Sequence, residues 1–169
     1  MEPATPATPA TPATPAARTG LAISLKGRAL RLLAGREQSR TELERKLAAH
    51  APTPEQLTQV LDELQAKDFI SEARVVESVI NRRQAKLGVS RIRRELQGKG
   101  IAADIVAEAM HGLKTTELAR AREVWRKKFD SKTTAGSSPA DKAKQMRFLA
   151  ARGFGSDAIK QAVSQTDDD

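Results

Sequence analysis

The sequence predicts an all-α fold, with three tandem three-helix units forming an elongated, curved helical array. Three observations predict it. One local pattern recurs three times. A leucine closes the middle helix of each unit at Leu47, Leu96 and Leu149, and in the second and third copies Gly100 and Gly153 follow four residues later, with Ile101 and Phe154 next. Small or apolar residues then return at matching distances: Leu57, Val60 and Leu61; Val106, Ala109 and Met110; Ile159, Ala162 and Val163. Fixed spacing of this kind marks one supersecondary unit repeated at about 50 residues, which buries its apolar face by stacking on neighbours. Apolar residues elsewhere keep the helical period, and no stretch alternates with period two over a useful length. Composition agrees, because 39% of the chain is hydrophobic but only 3% aromatic, so the core is aliphatic, alanine-rich and thin. Such an array offers a curved binding surface more readily than an enclosed active site.

Residues 1–24 form a Thr-Pro-Ala-rich tail expected to be extended or disordered, since a proline at every third position blocks both helix and sheet ladders. In the first unit, residues 25–70, Leu25, Ala29, Leu30, Leu33 and Ala34 share one helical face. Ser39-Arg40-Thr41-Glu42 reads as a capping box that opens a second helix, with Leu43 and Leu47 inward. Pro52 stops that helix. Thr53-Pro54-Glu55-Gln56 starts the third, with proline at the first helical position, and carries Leu57, Val60, Leu61 and Leu64.

In the second unit, residues 71–114, Ser71 caps a helix expected to run to about Leu87, with Val76, Val79, Ile80 and Leu87 on one face. Arg83 falls on that face. A buried guanidinium needs a partner, so Arg83 either snorkels at the edge or pairs with an acid such as Asp68 or Glu72. Gly88 breaks the helix and Ser90 caps the next, which turns Ile92 and Leu96 inward and Arg93, Arg94 and Gln97 outward. Ile101 to Leu113 completes the unit, with Asp104 in the first turn where the helix dipole favours it.

The third unit, residues 115–166, opens with Thr116 as cap and a long helix through Phe129. Leu118, Ala121, Trp125 and Phe129 lie on one side, and Arg120, Arg126 and Lys127 lean outward. Residues 130–137 read as the longest internal loop. Ser138-Pro139-Ala140-Asp141 restarts the helix, Phe148 and Leu149 pack inward, Gly153 ends it, and Ser156 or Gly155 caps the last. Residues 167–169 are an acidic tail.

Charge is unevenly placed along this plan. Residues 26–73 hold eight basic and eight acidic residues, whereas residues 74–132 hold fifteen basic and seven acidic. Localised basic character is the usual electrostatic footprint for nucleic acid or another acidic polymer. The candidate binding residues are Arg82, Lys86, Arg91, Arg93, Arg94, Lys99, Arg120, Arg126 and Lys127. Residues four apart share a helix face, so Ser78, Arg82 and Lys86 are expected to form one stripe.

No chemistry competes with binding. The chain has no cysteine, which removes disulfides and thiolate metal sites and is compatible with a reducing cytoplasm. The N-terminus lacks the apolar run of a secretory signal, and no apolar stretch approaches the roughly 18 residues that span a bilayer. His50 and His111 are expected to sit at helix C-termini as caps. No close His/Asp/Glu grouping points to a metal. Gly98-Lys99 resembles the end of a phosphate-binding loop, but Arg93 stands where the first glycine is needed and Gly100 where Ser or Thr would hold magnesium. No nucleophile elbow is present. Hence no catalytic residues, no cofactor, no metal and no small-molecule substrate are expected, and the chain is read as a non-enzymatic, monomeric, cytoplasmic protein.

The signatures carry a resemblance. Ser39 to Leu47 (SRTELERKL) resembles the opening signature of RecX regulatory proteins, and so does Gly88 to Leu96 (GVSRIRREL), continued by Gln97 to Ile101. Phe148 to Phe154 (FLAARGF) is similar to the family's closing signature, and Leu61 to Arg74 to its inter-unit joint. The family usually has aspartate where Glu72 stands and often an aromatic near Val75. The resemblance covers about residues 26–165. It implies a bacterial modulator of the RecA recombinase, built from three three-helix units, that lies in the groove of the RecA filament on DNA. Members of that family restrain ATP turnover, strand exchange and stimulation of repressor self-cleavage. The alternative is a helix-turn-helix-like protein acting on single- or double-stranded DNA directly. Basic residues spread over several helices, with no Asn/Gln/Arg cluster suited to base edges, weigh against sequence-specific reading. An RNA platform is weaker still, because the aromatics lie mostly on apolar faces and no tyrosine exists for stacking.

Overall fold

A computed structural model describes residues 22–129 and 138–164. The expected N-terminal tail (apart from residues 22–24), the 130–137 loop and the 167–169 tail lie outside the described residues. Among those described there are nine α-helices and no strand: α1 (Leu25–Gly35), α2 (Arg40–Leu47), α3 (Pro54–Ala66), α4 (Glu72–Arg83), α5 (Val89–Gly98), α6 (Ala103–Thr115), α7 (Glu117–Phe129), α8 (Pro139–Ala151) and α9 (Ser156–Ser164). A 3-10 turn, Ala48–His50, extends the end of α2.

The helices pack in consecutive threes, each around its own core. Ala29, Leu43, Leu47, Leu57, Leu61, Leu64 and Ile70 form the first. Val75, Val79, Ile92, Leu96, Val106 and Met110 are central to the second. Ala121, Trp125, Leu149, Phe154, Ile159 and Val163 are central to the third. The three repeat leucines, Leu47, Leu96 and Leu149, are at most 1% exposed, which explains their fixed spacing: each plugs the centre of its own trio. Two buried amides serve these cores. Gln145 accepts from the Trp125 indole N–H at 2.9 Å, and Gln38 donates to the Leu32 carbonyl at 2.7 Å while accepting from Lys46 at 2.5 Å.

Helix starts follow the local chemistry closely. Ser39 accepts from Glu42 N while the Glu42 carboxylate accepts from Ser39 N, a complete capping box. Thr53, Ser71 and Ser138 each accept from the third helical N–H, with proline at the first position of α3 and α8.

Three expectations need correction. The first helix of the second unit ends at Arg83, short of Leu87, and residues 84–86 form a turn in which Lys86 N donates to the Arg83 carbonyl. Arg83 pairs with neither Asp68 nor Glu72. It reaches across to Glu95 on α5 at 2.9 Å with its side chain 47% exposed, which is the edge position. Thr116 precedes α7 as expected, yet its hydroxyl donates to the Leu113 carbonyl behind it and accepts from the Arg120 guanidinium.

Ser90 is the fourth correction, and it reveals how units join. It lies inside α5, whose first residue is Val89 and whose start has no side-chain cap. The orphan amides of that helix N-terminus donate instead to the third unit: Gly88 N to the Arg152 carbonyl at 2.9 Å, Val89 N to a Glu117 carboxylate oxygen at 3.0 Å, and Ser90 N to the Gly153 carbonyl at 3.1 Å. The Ser90 hydroxyl adds a second bond to Gly153 O at 2.8 Å. The same Glu117 oxygen accepts from Gly155 N at the start of α9 at 3.2 Å, so one carboxylate serves two helix N-termini.

The two repeat glycines make this contact possible. Gly100 and Gly153 both adopt the left-handed region, at φ +72° and +83°, to turn the chain out of a middle helix. Each then abuts the N-terminus of the preceding unit's middle helix. A Cβ on Gly100 would overlap the Thr41 side chain, and one on Gly153 would lie 2.7 Å from Ser90 Oγ. Thr41 and Ser90 occupy the same place in the two SRTELERKL-like signatures, so one joint is used twice.

Candidate functional site

The basic residues expected to bind divide into those the joints consume and those they leave free. Lys99 is consumed. At the end of α5 it reaches back to Glu42 at 2.7 Å, the two side chains being only 13% and 11% exposed. Arg36 meets the same carboxylate at 2.9 Å. Burial alone would raise the Glu42 pKa, but Lys99, Arg36 and the Ser39 N–H together hold it down to about 2.

Arg120 is consumed as well, and it does not lean outward as expected. Its guanidinium is half-buried between units, donating to the backbone carbonyls of Gln84 at 3.1 Å, Leu87 at 2.7 Å and Leu113 at 3.0 Å. It also lies 6.0 Å from the Phe154 ring centroid. Desolvation lowers its pKa, opposed by the Glu117 carboxylate. A fork of donors that closes the exposed end of α4 and α6 is a structural clasp, and only the planar five-donor head of arginine has this geometry.

The remaining candidates are exposed. Arg93 and Arg94 project from α5 with no hydrogen bond or ion pair among the described residues, opposite the buried Ile92 and Leu96. Arg91 lays its aliphatic stem over Gly153 and keeps its head in solvent. Arg82, in the last turn of α4, donates to the Ser78 carbonyl at 3.1 Å. Arg126 and Lys127 both flank Glu123 at 3.2 and 3.3 Å, in open pairs of the kind that contribute little. The Ser78–Arg82–Lys86 stripe is broken, because Lys86 lies beyond the helix end. It joins Lys127 in a cleft of about 250 Å³ that Lys128 and Arg152 also line.

Lys128 and Arg152 were not among the residues singled out in the sequence, and neither was a basic cluster on the first unit. Arg28, Arg31, Lys46 and His50 surround a cleft of about 350 Å³ floored by Leu32 and Leu47. Equal numbers of acids and bases in that unit conceal it: the acids Glu42 and Glu63 are engaged elsewhere, by Arg36 and Lys99 and by Lys26 and Lys67. His50 ends the 3-10 turn as expected, whereas His111 lies inside α6 and not at its end, and no group of three metal-ligating side chains occurs among the described residues. No described helix is long and apolar enough to cross a membrane.

Comparison with known proteins agrees with this architecture. Three family models match in chain order, described as the first, second and third three-helix domains of RecX, over residues 26–64, 71–110 and 115–163. The regulatory protein RecX of Leptothrix cholodnii is 53% identical over 148 residues, covering 86% of this chain and 90% of its own length. That of Herminiimonas arsenicoxydans is 49% identical, covering 85% and 93%. A crystal structure of RecX from Lactobacillus salivarius superposes with a TM-score of 0.72 over 85% of this chain and 94% of its own; at 21% identity it speaks to the fold. Three domain matches in order, on three separately cored helix trios with a shared joint, establish that the chain belongs to the RecX family of regulatory proteins.

Proposed function

We propose that this protein regulates RecA without chemistry of its own, by docking its basic second and third units against the RecA filament on DNA and lowering the filament's ATP turnover. The observation that carries this reading is the division of the cations. Arg82, Arg93, Arg94, Arg126 and Lys127 are exposed and dispensable to the joints, while Lys99 and Arg120 hold the units in register behind them. A surface with a surplus of exposed cations on a fixed frame suits a long, acidic, repetitive partner and does not form an enclosed site. The partner is the one implied by the family signatures, and the location that goes with it is cytoplasmic.

The test is ATP hydrolysis by RecA on single-stranded DNA with the full chain added below stoichiometric amounts. Hydrolysis is expected to fall, because a groove binder perturbs filament growth as well as individual protomers. Unchanged hydrolysis and filament length at saturating protein would overturn the reading. Binding to DNA alone as tight as binding to the filament would favour a direct DNA-binding protein.

A further inference from the structure

The cleft between the second and third units has a composition unlike the rest of the basic surface. Lys86 enters from the turn after α4, Val124, Lys127 and Lys128 from α7, and Phe148 and Arg152 from the end of α8. Among the described residues four cations line it and no carboxylate does; Glu123, on α7, pairs with Arg126 and Lys127. Its floor is aromatic. The Arg152 guanidinium lies 3.6 Å from the Phe148 ring centroid, and Phe148 meets Phe129 edge-on at 5.1 Å. Arg152 is further held by its own NH1 donating to the Phe148 carbonyl at 3.3 Å and by its carbonyl accepting from Gly88 N.

A guanidinium held in this way rests over the phenylalanine ring and also lines the cleft. One of its five N–H donors is committed to a carbonyl, and the Nε–Nη2 edge keeps its own. The ring beneath it favours a stacked partner on the cleft side. Planar bases stack on guanidinium faces, and lysines beside them take the flanking phosphates as point charges. At about 250 Å³ the cleft is below the size of drug-like ligand sites and open to one planar group.

We infer that this cleft is a single-nucleotide subsite for single-stranded nucleic acid, with a base on the cleft side of Arg152 and the neighbouring phosphates on Lys86, Lys127 and Lys128. The inference rests on the proposed docking of the second and third units against the filament on DNA and assigns that docking a chemically defined contact. Stacking tolerates any base, so the subsite reads strandedness and not sequence.

The test compares binding of the full chain to labelled oligo(dT) and to an abasic oligomer of equal length, across a salt series, for wild type, R152K and K128Q. R152K keeps the charge and loses the plane. It is expected to weaken oligo(dT) binding about five-fold or more while leaving the abasic affinity unchanged. K128Q is expected to weaken both and to reduce the salt slope by about 0.7. Equal affinity of wild type for the two oligomers overturns the inference, and so does an R152K effect that is equal on both, which would indicate a simple anion site. Displacement of oligo(dT) by a Glu-rich peptide whose own binding R152K impairs equally would also overturn it and assign the cleft to acidic protein. Should R152K lower the melting temperature, K128Q on the open flank of α7 still decides the phosphate half. Loss of RecA regulation by wild type would refute the proposed function alone, whereas an unaltered ratio of oligo(dT) to abasic affinity in R152K refutes this inference alone.

Discussion

Gly153 and Gly112 make opposite demands on a methyl group. Gly153 sits at φ +83°, and its Cβ position is occupied by Arg91 and Ser90 of the neighbouring unit. Gly112 lies within α6 with open space around it. Gly153→Ala is therefore expected to destabilise by about 1–3 kcal/mol, from left-handed strain and displacement of the joint. Gly112→Ala is expected to stabilise by about 0.5–1 kcal/mol through helix propensity and the unfolded-state entropy. Urea unfolding of the two variants beside wild type measures both, and a neutral Gly153→Ala would mean the joint tolerates separation. Both glycines of the joint are visible in the sequence as repeat positions. What they touch is not, because Ser90 and Gly153 are 63 residues apart and nothing local to either discloses the other.

At the scale of helices, local rules succeed and lateral ones fail. The starts of α2, α3, α4 and α8 follow from the Ser or Thr before them, since the cap and its N–H lie within four residues. The start of α5 does not follow, because its cap is another unit's backbone together with the Glu117 carboxylate. Arg83 fails for the same reason: its face was correctly read as mostly apolar, but Glu95 on α5 is the partner that burial geometry selects. The joint between the first two units has a titratable centre. Glu42 ionises at about 2 in the folded chain against an ordinary 4.5, so its contribution is complete above about pH 4.5 and is lost as the pH falls towards 2. The loss is expected to be roughly 2–3 kcal/mol. Glu42→Gln is expected to be less stable than wild type near neutral pH, with the gap closing by about pH 2. A gap independent of pH would mean that the amide disrupts packing and not charge. In the other joint, Arg120→Ala leaves three backbone carbonyls without their donor and is expected to destabilise by about 2–4 kcal/mol.

For the whole molecule, the repeat, the helical class and the order of units were legible because they rest on buried leucines at fixed intervals. The distribution of basic side chains over the surface was legible only in part. A net charge summed along the chain locates a basic unit but not a basic face, so the first unit's cluster around Arg28, Arg31 and Lys46 was hidden by acids engaged elsewhere. The same averaging counted Lys99 and Arg120 as surface. Arg93 and Arg94 test what remains. If they meet phosphates, changing both to alanine is expected to reduce the slope of log affinity against log salt by roughly 0.7–0.9 per lost contact, equally for unrelated sequences. Stability is expected to change by no more than about 0.5 kcal/mol. An unaltered slope assigns these arginines to a protein partner or to solvent.

The start of α5 is capped from outside its own unit. The first amides of an isolated helix are open to water and exchange their protons quickly, since no carbonyl of their own helix reaches them. Those of Gly88 and Ser90 are bonded to carbonyls of the third unit. Their deuterium uptake therefore clocks the opening of the joint itself, separately from the melting of either helix trio. Amides deep in α5 report unfolding of the second unit; these two report only when the third unit lets go. If the array flexes when it meets a helical polymer, the change in protection at positions 88 and 90 gives the free energy of that flexing directly.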